Sequence, residues 1–208
     1  MSNPILSLNN LTIHFGGINA INKLSFDVQE GSISSLIGPN GAGKTTCFNC
    51  ISGFYKPDSG SIMLKDKQIA GLPSYKIAEY GVARTYQNIR TYSDLTVLEN
   101  ILAGQHDRLK SNLFDAMFHT KRFRDEDKQA LIEAGRIQEL MGLDGLGDTL
   151  ARNLPYGDQR RLEIARAIAS KPSLLLLDEP SAGMNPTETQ DLVRLIRKLR
   201  DEIGITIF

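Results

Sequence analysis

The amino-acid sequence predicts an α/β fold with a parallel sheet at its core, a region of antiparallel β structure and an inserted helical region. Residues Ile5–Val28 alternate apolar and polar side chains with the period of a strand, as in antiparallel strands that have one solvated face. Leu174–Leu177 is instead a continuous apolar run, which is typical of a strand buried on both faces of a parallel sheet. Residues 96–170 show helical spacing without a strand pattern. These three observations predict the fold class.

The other elements are assigned in the order in which they occur along the chain. A strand is expected at Ile33–Ile37, and a second hairpin begins at the turn Asp58–Gly60. Helices are expected at about 44–52, 126–141 and 186–202, and strands at 82–86 and 204–208. Because the last strand pattern stops at Phe208, we expect the chain to be a fragment or a truncated product, cut short at its C-terminal end.

Composition and charge restrict the function classes. The 208 residues include 24 Lys and Arg and 24 Asp and Glu, so the formal net charge is zero. This balance removes the usual electrostatic reason to expect a nucleic-acid partner. The longest apolar run is far short of a membrane span, and the N-terminus lacks the pattern of a signal peptide. We therefore expect a cytosolic chain that works at a membrane only as a peripheral partner.

The two cysteines, Cys47 and Cys50, form a C-x-x-C pair on the helix expected at 44–52. A redox pair needs exposure in an electropositive setting. Free cysteines on a helix are more often small buried apolar residues, and we expect that here.

The run GPNGAGKTT at 38–46 matches the phosphate-binding pattern G-x-x-x-x-G-K-[ST]. It follows an expected strand and opens an expected helix, which is the context that this motif requires. Successive backbone N–H groups can wrap a phosphate, Lys44 can bridge the β- and γ-phosphates, and Thr45 can offer a hydroxyl to Mg²⁺. The alternative is a glycine-rich turn without a ligand. The expected nucleotide contacts are Gly38, Pro39, Asn40, Gly41, Ala42, Gly43, Lys44, Thr45 and Thr46.

Two carboxylates follow the apolar run in LLLLDEP. A buried strand that ends here places Asp178 and Glu179 at the ligand edge of the sheet. Asp178 suits a Mg²⁺ partner and Glu179 suits a general base that orients water at the γ-phosphate. Alternatively, the pair caps a helix ahead of Pro180. Together with the phosphate-binding loop, the carboxylates predict a P-loop NTPase with a Mg²⁺ site, but they do not identify which kind of NTPase.

Further motifs narrow the class. The order of the motifs resembles that of the ABC-type ATP-binding cassette over the whole chain. These motifs are the phosphate loop, Gln87, LPYGDQ at 154–159, the carboxylate strand and SAGMNP at 181–186. The chain is most similar to the ATP-binding subunits of branched-chain amino acid importers, through FGGINAINKLSF, GPNGAGKTTCFNCISGFYKPDSG and RRLEIARA. The resemblance implies a single cassette over 1–208, with a RecA-like core that binds ATP and Mg²⁺, incomplete at its C-terminal end. Its core and antiparallel β subdomain would span about 1–89 and 171–208, and its helical subdomain about 90–170.

The resemblance also implies roles for individual residues. Phe15 matches the aromatic residue that stacks on adenine, although it could instead be a core residue on a strand face. Gln87 matches the residue that contacts Mg²⁺ or the attacking water, so it counts as both a catalytic and a metal-contacting residue, beside the catalytic Lys44 and Glu179. Residues 181–186 match the loop between two ATP sites, with Asn185 where the family commonly has Asp.

The segment 154–159 matches the family signature, usually LSGGQ, which docks as a turn on the γ-phosphate of ATP held by a second subunit. The resemblance thus places Tyr156, Gly157 and Asp158 at the partner's nucleotide. This chain departs from the signature, since Pro155 replaces serine, Tyr156 the first glycine and Asp158 the glutamine. Arg160 and Arg161 either offset the charge of Asp158 or are exposed helix residues.

The family also carries a switch histidine that His14, His106 and His119 cannot be matched to. Without that histidine we expect the chain as given to bind ATP and hydrolyse it poorly.

The resemblance predicts an ATPase subunit that energises a membrane importer, from the cytoplasmic face of the inner membrane. Its partners would be a second ATP-binding subunit, identical or different, permease subunits that contact 88–100, and indirectly a substrate-binding protein. No nucleic acid is expected. The alternatives are a lipid-exporting relative, a soluble ABC ATPase of translation or DNA repair, and a nucleotide-binding regulator that does not hydrolyse ATP.

Overall fold

The structure, a computed structural model, describes residues 4–108 and 120–208. The described residues form two compact units. The first contains the chain up to Arg84 together with Pro172–Glu179 and Val193–Phe208, and the second contains Thr85–Lys171 and Pro180–Leu192.

The antiparallel sheet of the first unit has the strand order β2-β1-β3-β4. Its strands are β1 (Pro4–Phe15), β2 (Ile18–Gln29), β3 (Ser59–Leu64) and β4 (Lys67–Gln68). The alternating pattern predicted this arrangement, because Leu6, Leu8, Leu11 and Ile13 are buried while the residues between them are mostly more accessible. In register, Leu8 lies opposite both Phe26 and Ile62.

The parallel sheet has the order β5-β6-β7, formed by Val82–Arg84, Leu174–Leu176 and Thr206–Ile207. All three residues of β6 are buried, as the continuous apolar run predicts. The strand predicted at Ile33–Ile37 is wrong in extent, because only Ile33 forms a bridge, to Ile207. Serines at 32, 34 and 35 give this segment little apolar surface to bury, and Ile37 is 89% exposed.

The core of the first unit includes residues of both sheets and of helix α1 (Lys44–Ile51). Cys47 and Cys50 are fully buried in it, as predicted. Burial raises the pKa of the Cys47 thiol to about 12 and that of the Cys50 thiol to about 11. Phe208 is also buried in this core, and its ring centroid lies 5.1 Å from that of Phe48. A second helix of this unit, α2, spans Ser74–Glu79.

The second unit is helical, as the pattern over 96–170 predicts. Its helices are α3 (Val97–Ala103), α4 (Lys121–Leu140) and α5 (Tyr156–Ala169), with 3₁₀ turns at His106–Arg108 and Ala151–Asn153. Helix α3 begins with a capping box between Thr96 and Glu99. The chain then forms α6 (Pro186–Lys198), which continues as a short π-helical segment over Leu199–Ile203. Across 4–108 and 120–208, none of the helices combines the length and the apolar character needed to span a bilayer.

Candidate nucleotide-binding site

The phosphate-binding loop occupies residues 38–43 and leads directly into α1. Gly41 and Gly43 have φ angles of 82° and 84°, a left-handed conformation that favours glycine. At Gly43 a β-carbon would also lie 2.4 Å from the carbonyl oxygen of Ala20, so a larger residue cannot fit without moving backbone. The third glycine of the motif is therefore required by both conformation and space.

Lys44 is the first residue of α1, and its Nζ donates to the carbonyl oxygens of Gly38 at 2.8 Å and Pro39 at 3.0 Å. The ammonium group is therefore held across the loop, where phosphate oxygens would be bound. Gly43 caps α1 without a side-chain hydrogen bond, so no cap side chain competes for the N–H groups of the first turn. Thr45 is exposed and Thr46 is half-buried.

A cavity of about 310 Å³ lies beside the loop, lined in part by Asn22, Ile37 and Lys44. Pro39, Asn40 and Ala42 are exposed.

Phe15 ends β1 with 45% of its surface exposed. This exposure argues against the alternative that Phe15 is a core residue on a strand face. Its ring meets the ring of Tyr55 edge to face, with centroids 5.0 Å apart. Tyr55 is itself 39% exposed. Sequence reasoning missed Tyr55, because a lone tyrosine after α1 carries no recognisable pattern.

Asp178 emerges from the end of β6 with only 6% of its surface exposed. Its Oδ2 accepts a hydrogen bond from Arg84 Nη2 at 3.0 Å, which offsets the burial of the carboxylate. Arg84 ends the neighbouring strand β5 and was also missed. The only sequence signal was one charged residue in an otherwise apolar strand segment, Val82–Arg84.

Glu179 is exposed and has a φ of 46°, in the left-handed region that non-glycine residues seldom adopt. Such strain typically costs about 1–3 kcal/mol and recurs at functional sites. The alternative of a helix cap at 178–179 is wrong, because α6 begins only at Pro186. That helix is capped by Asn185, whose side chain accepts from the Glu188 N–H at 2.9 Å while Glu188 accepts from the Asn185 N–H at 2.9 Å. An asparagine fulfils this capping role as an aspartate would.

The metal expected here suits the donors present. Thr45 and Asp178 offer oxygen atoms, and Mg²⁺ is usually held by one or two protein oxygens together with phosphate oxygens and waters. Within the described part of the chain, no group of three or more His, Cys, Asp or Glu side chains could hold a metal.

Gln87 belongs to the second unit, whereas Lys44, Asp178 and Glu179 belong to the first. The Gln87 side chain is exposed, and its backbone carbonyl accepts a hydrogen bond from Arg160 at 2.9 Å. Arg160 also donates to the carbonyl of Tyr86 and to Glu163, both at 2.7 Å. The side chains of Arg160 and Glu163 are 0% and 2% exposed.

Both alternatives for Arg160 are therefore wrong, because it is neither an exposed helix residue nor a counter-charge for Asp158. The buried Arg160–Glu163 pair holds the segment 86–90 against α5, since Glu163 also accepts the N–H groups of Tyr86 and Arg90 at 3.3 and 3.2 Å. Arg161 is the residue that offsets Asp158, at 3.6 Å, and it also reaches Asp191 at 3.8 Å.

The segment 154–159 is not a separate turn. Helix α5 begins at Tyr156, with the extended Pro155 at its N-cap, so Tyr156, Gly157 and Asp158 form its first turn. Proline suits this position, because the N–H that it lacks would have no partner within the helix. The Tyr156 hydroxyl donates to the carbonyl of Ala182 at 2.9 Å, which ties the start of α5 to the segment 181–186.

Comparison with known proteins agrees with this geometry. Residues 21–182 match the ABC transporter family. The high-affinity branched-chain amino acid transport ATP-binding protein LivG of Escherichia coli is 49% identical over 207 residues, which cover 100% of this chain and 81% of the relative. The corresponding protein BraF of Pseudomonas aeruginosa is 47% identical over 207 residues with the same coverage.

Solved structures give the same result. The ADP conformation of MJ1267, an ATP-binding cassette of an ABC transporter, has a TM-score of 0.84 at 32% identity and covers 99% of this chain and 80% of its own. A dimeric post-hydrolysis state of the cassette MJ0796, bound to ADP and Pi, has a TM-score of 0.78 at 23% identity and covers 97% of this chain and 85% of its own, so it supports the fold alone. The predicted fold class is confirmed, and the chain belongs to the ABC transporter family of ATP-binding cassettes.

Proposed function

We propose that the chain binds MgATP and hydrolyses it to energise a membrane importer for branched-chain amino acids. One observation carries the proposal. The phosphate loop requires glycine at position 43, Lys44 lies across this loop, and the buried Asp178 belongs to the same unit. The relatives at 47–49% identity are ATP-binding proteins of high-affinity branched-chain amino acid transport, which supports the transported class.

In this proposal the backbone N–H groups of 38–46 and the N-terminus of α1 bind the phosphates. Lys44 exchanges its two carbonyl partners for β- and γ-phosphate oxygens, which places its charge where negative charge develops during transfer. Phe15, exposed at the end of β1, stacks on the adenine.

Thr45 and Asp178 would hold Mg²⁺, which neutralises phosphate charge when bound. Glu179 accepts the proton of the attacking water, and its exposed position leaves the carboxylate accessible to that water.

The proposal includes pairing with a second ATP-binding subunit, whose nucleotide would meet Tyr156, Gly157 and Asp158. The first turn of α5 presents backbone N–H groups there, and Arg161 offsets the charge of Asp158 that would otherwise repel a phosphate. The segment 88–100 would contact the permease subunits at the cytoplasmic face of the inner membrane. Tyr92, which is 54% exposed, lies in that segment.

Nucleotide binding and turnover of three variants test the proposal. Lys44→Ala should weaken binding of a fluorescent ATP analogue at least about tenfold, because one charge-assisted contact to phosphate is lost. Glu179→Gln should keep binding and lose phosphate release. Lys65→Ala, an exposed lysine that pairs with Glu30, is the matched control and should change neither quantity.

Equal nucleotide affinity in Lys44→Ala and the unchanged chain would refute the nucleotide site. Phosphate release by Glu179→Gln at the unchanged rate, measured with permease subunits present, would refute the assignment of the base.

A further inference from the structure

Arg84 is a buried cation that contacts Asp178 of the proposed metal site. It belongs to none of the sequence motifs described above. Its side chain is 5% exposed, and it contacts three oxygen acceptors. Nη2 donates to Asp178 Oδ2 at 3.0 Å, while Nη1 donates to Asn49 Oδ1 at 2.8 Å and to Ser52 Oγ at 2.7 Å.

These partners come from two different elements. Asn49 lies in the last turn of α1 and Ser52 is its C-cap, whereas Asp178 follows β6. A cation at the C-terminal end of a helix is also favoured by the helix dipole. The guanidinium therefore connects the far end of the phosphate-loop helix with the carboxylate of the parallel sheet.

Two aromatic rings restrict the guanidinium further. Its central carbon lies 5.7 Å from the ring centroid of Phe48 and 6.0 Å from that of Phe54. Lysine could not reproduce this arrangement, because a single ammonium group lacks the planar fork that reaches acceptors on both sides.

We propose that Arg84 is a positioning residue for Mg²⁺. It holds Asp178 at a fixed distance from the helix that carries Thr45, so that the two oxygen donors are preorganised for the metal of the bound nucleotide. Arg84 holds Asp178 through Oδ2, and the carboxylate so oriented would help to hold the cation. The inference rests on the proposed function, because Mg²⁺ reaches this site with ATP.

The test measures how binding of a fluorescent ATP analogue depends on Mg²⁺. For Arg84→Met we expect the Mg²⁺ concentration at half-saturation to rise about tenfold, the range in which outer partners of metal ligands usually act. Binding in EDTA should stay within about twofold of the unchanged chain, because the loop amides and Lys44, which bind the phosphates in the proposed function, remain in place. Arg84→Lys should recover only part of the loss.

Variants that leave Arg84 in place keep the test valid if Arg84→Met folds poorly. Asn49→Ala removes one anchor of the guanidinium without touching Asp178, and it should raise the half-saturating Mg²⁺ about threefold. Ile62→Ala, a buried change in β3, serves as the control for lost stability, followed by urea unfolding. It should leave the Mg²⁺ dependence unchanged.

Three results would overturn the inference. The first is that Arg84→Met and Asn49→Ala both show the same Mg²⁺ dependence as the original chain, when nucleotide binding by the original chain does respond to Mg²⁺. The second is a shift of equal size in Ile62→Ala, which would make the effect one of stability. The third is no nucleotide binding in the unchanged chain at any Mg²⁺ concentration, which would refute the proposed function as well.

Discussion

Replacing Arg160 by methionine breaks a buried ion pair in the second unit, and the cost follows from the geometry. Arg160 is 0% exposed and makes three charge-assisted hydrogen bonds of 2.7–2.9 Å, to Glu163 and to two backbone carbonyls. Methionine fills much of the volume and leaves the Glu163 carboxylate buried without its cation. Removing one partner of such a pair typically destabilises a protein by about 3–5 kcal/mol.

That cost should lower the midpoint of thermal unfolding, followed by circular dichroism, by about 10 °C, because about 1 kcal/mol corresponds to 2–4 °C in a chain of this size. Arg161→Met is the matched control. Arg161 is 30% exposed and its carboxylate partners lie at 3.6 and 3.8 Å, so its loss should cost less than about 1 kcal/mol.

Adding Glu163→Leu to Arg160→Met separates the charge from the packing. Because Glu163→Leu removes the carboxylate that Arg160→Met leaves buried without a cation, the double variant should be more stable than Arg160→Met alone. Equal losses in Arg160→Met and Arg161→Met would refute this reasoning. The reasoning would also be refuted if the double variant lost as much stability as Arg160→Met and Glu163→Leu lose separately, added together.

Three further predictions concern the first unit. Gly43→Ala should abolish detectable binding of the fluorescent ATP analogue, because its β-carbon would lie 2.4 Å from a backbone carbonyl, and retained affinity would contradict the loop geometry. Cys47 and Cys50, with thiol pKa values raised to about 12 and 11 by burial, should not react with Ellman's reagent at pH 8 until urea unfolds the chain. The hydrogen bond from the His14 ring lowers the pKa of Asp58, so its stabilising contribution is present above the ordinary carboxyl pKa and is lost as the pH falls through the lowered value. The difference in the free energy of unfolding between the unchanged chain and Asp58→Asn, measured with urea, should therefore shrink in acid. A difference that grows in acid would contradict this pH dependence.

Much of the fold was predictable because its signals are local. Period-two alternation gave β1 and β2, and an unbroken apolar run gave β6. The phosphate loop was predictable since its geometry needs glycine at fixed positions, and Gly43 meets that need in both conformation and space.

Residues that act through distant partners were not predictable. Arg84 is 94 positions from Asp178, and Arg160 is 73 positions from Gln87, so no window of sequence contains either contact. Helical spacing alone also does not decide burial on α4, where Ala134 and Ile137 are buried but Leu131 is 42% exposed. Tertiary packing, and not the repeat itself, decides which residues of a helix face are covered.

The backbone of Glu179 links stability to activity at this position. Glycine adopts a φ of 46° without the steric penalty that a glutamate incurs, so Glu179→Gly would remove strain of about 1–3 kcal/mol just beyond β6. The same change would remove the carboxylate that we propose as the base. The freedom of glycine in the unfolded chain offsets part of that gain, so Glu179→Gly should lose the proposed base while changing the free energy of unfolding only a little.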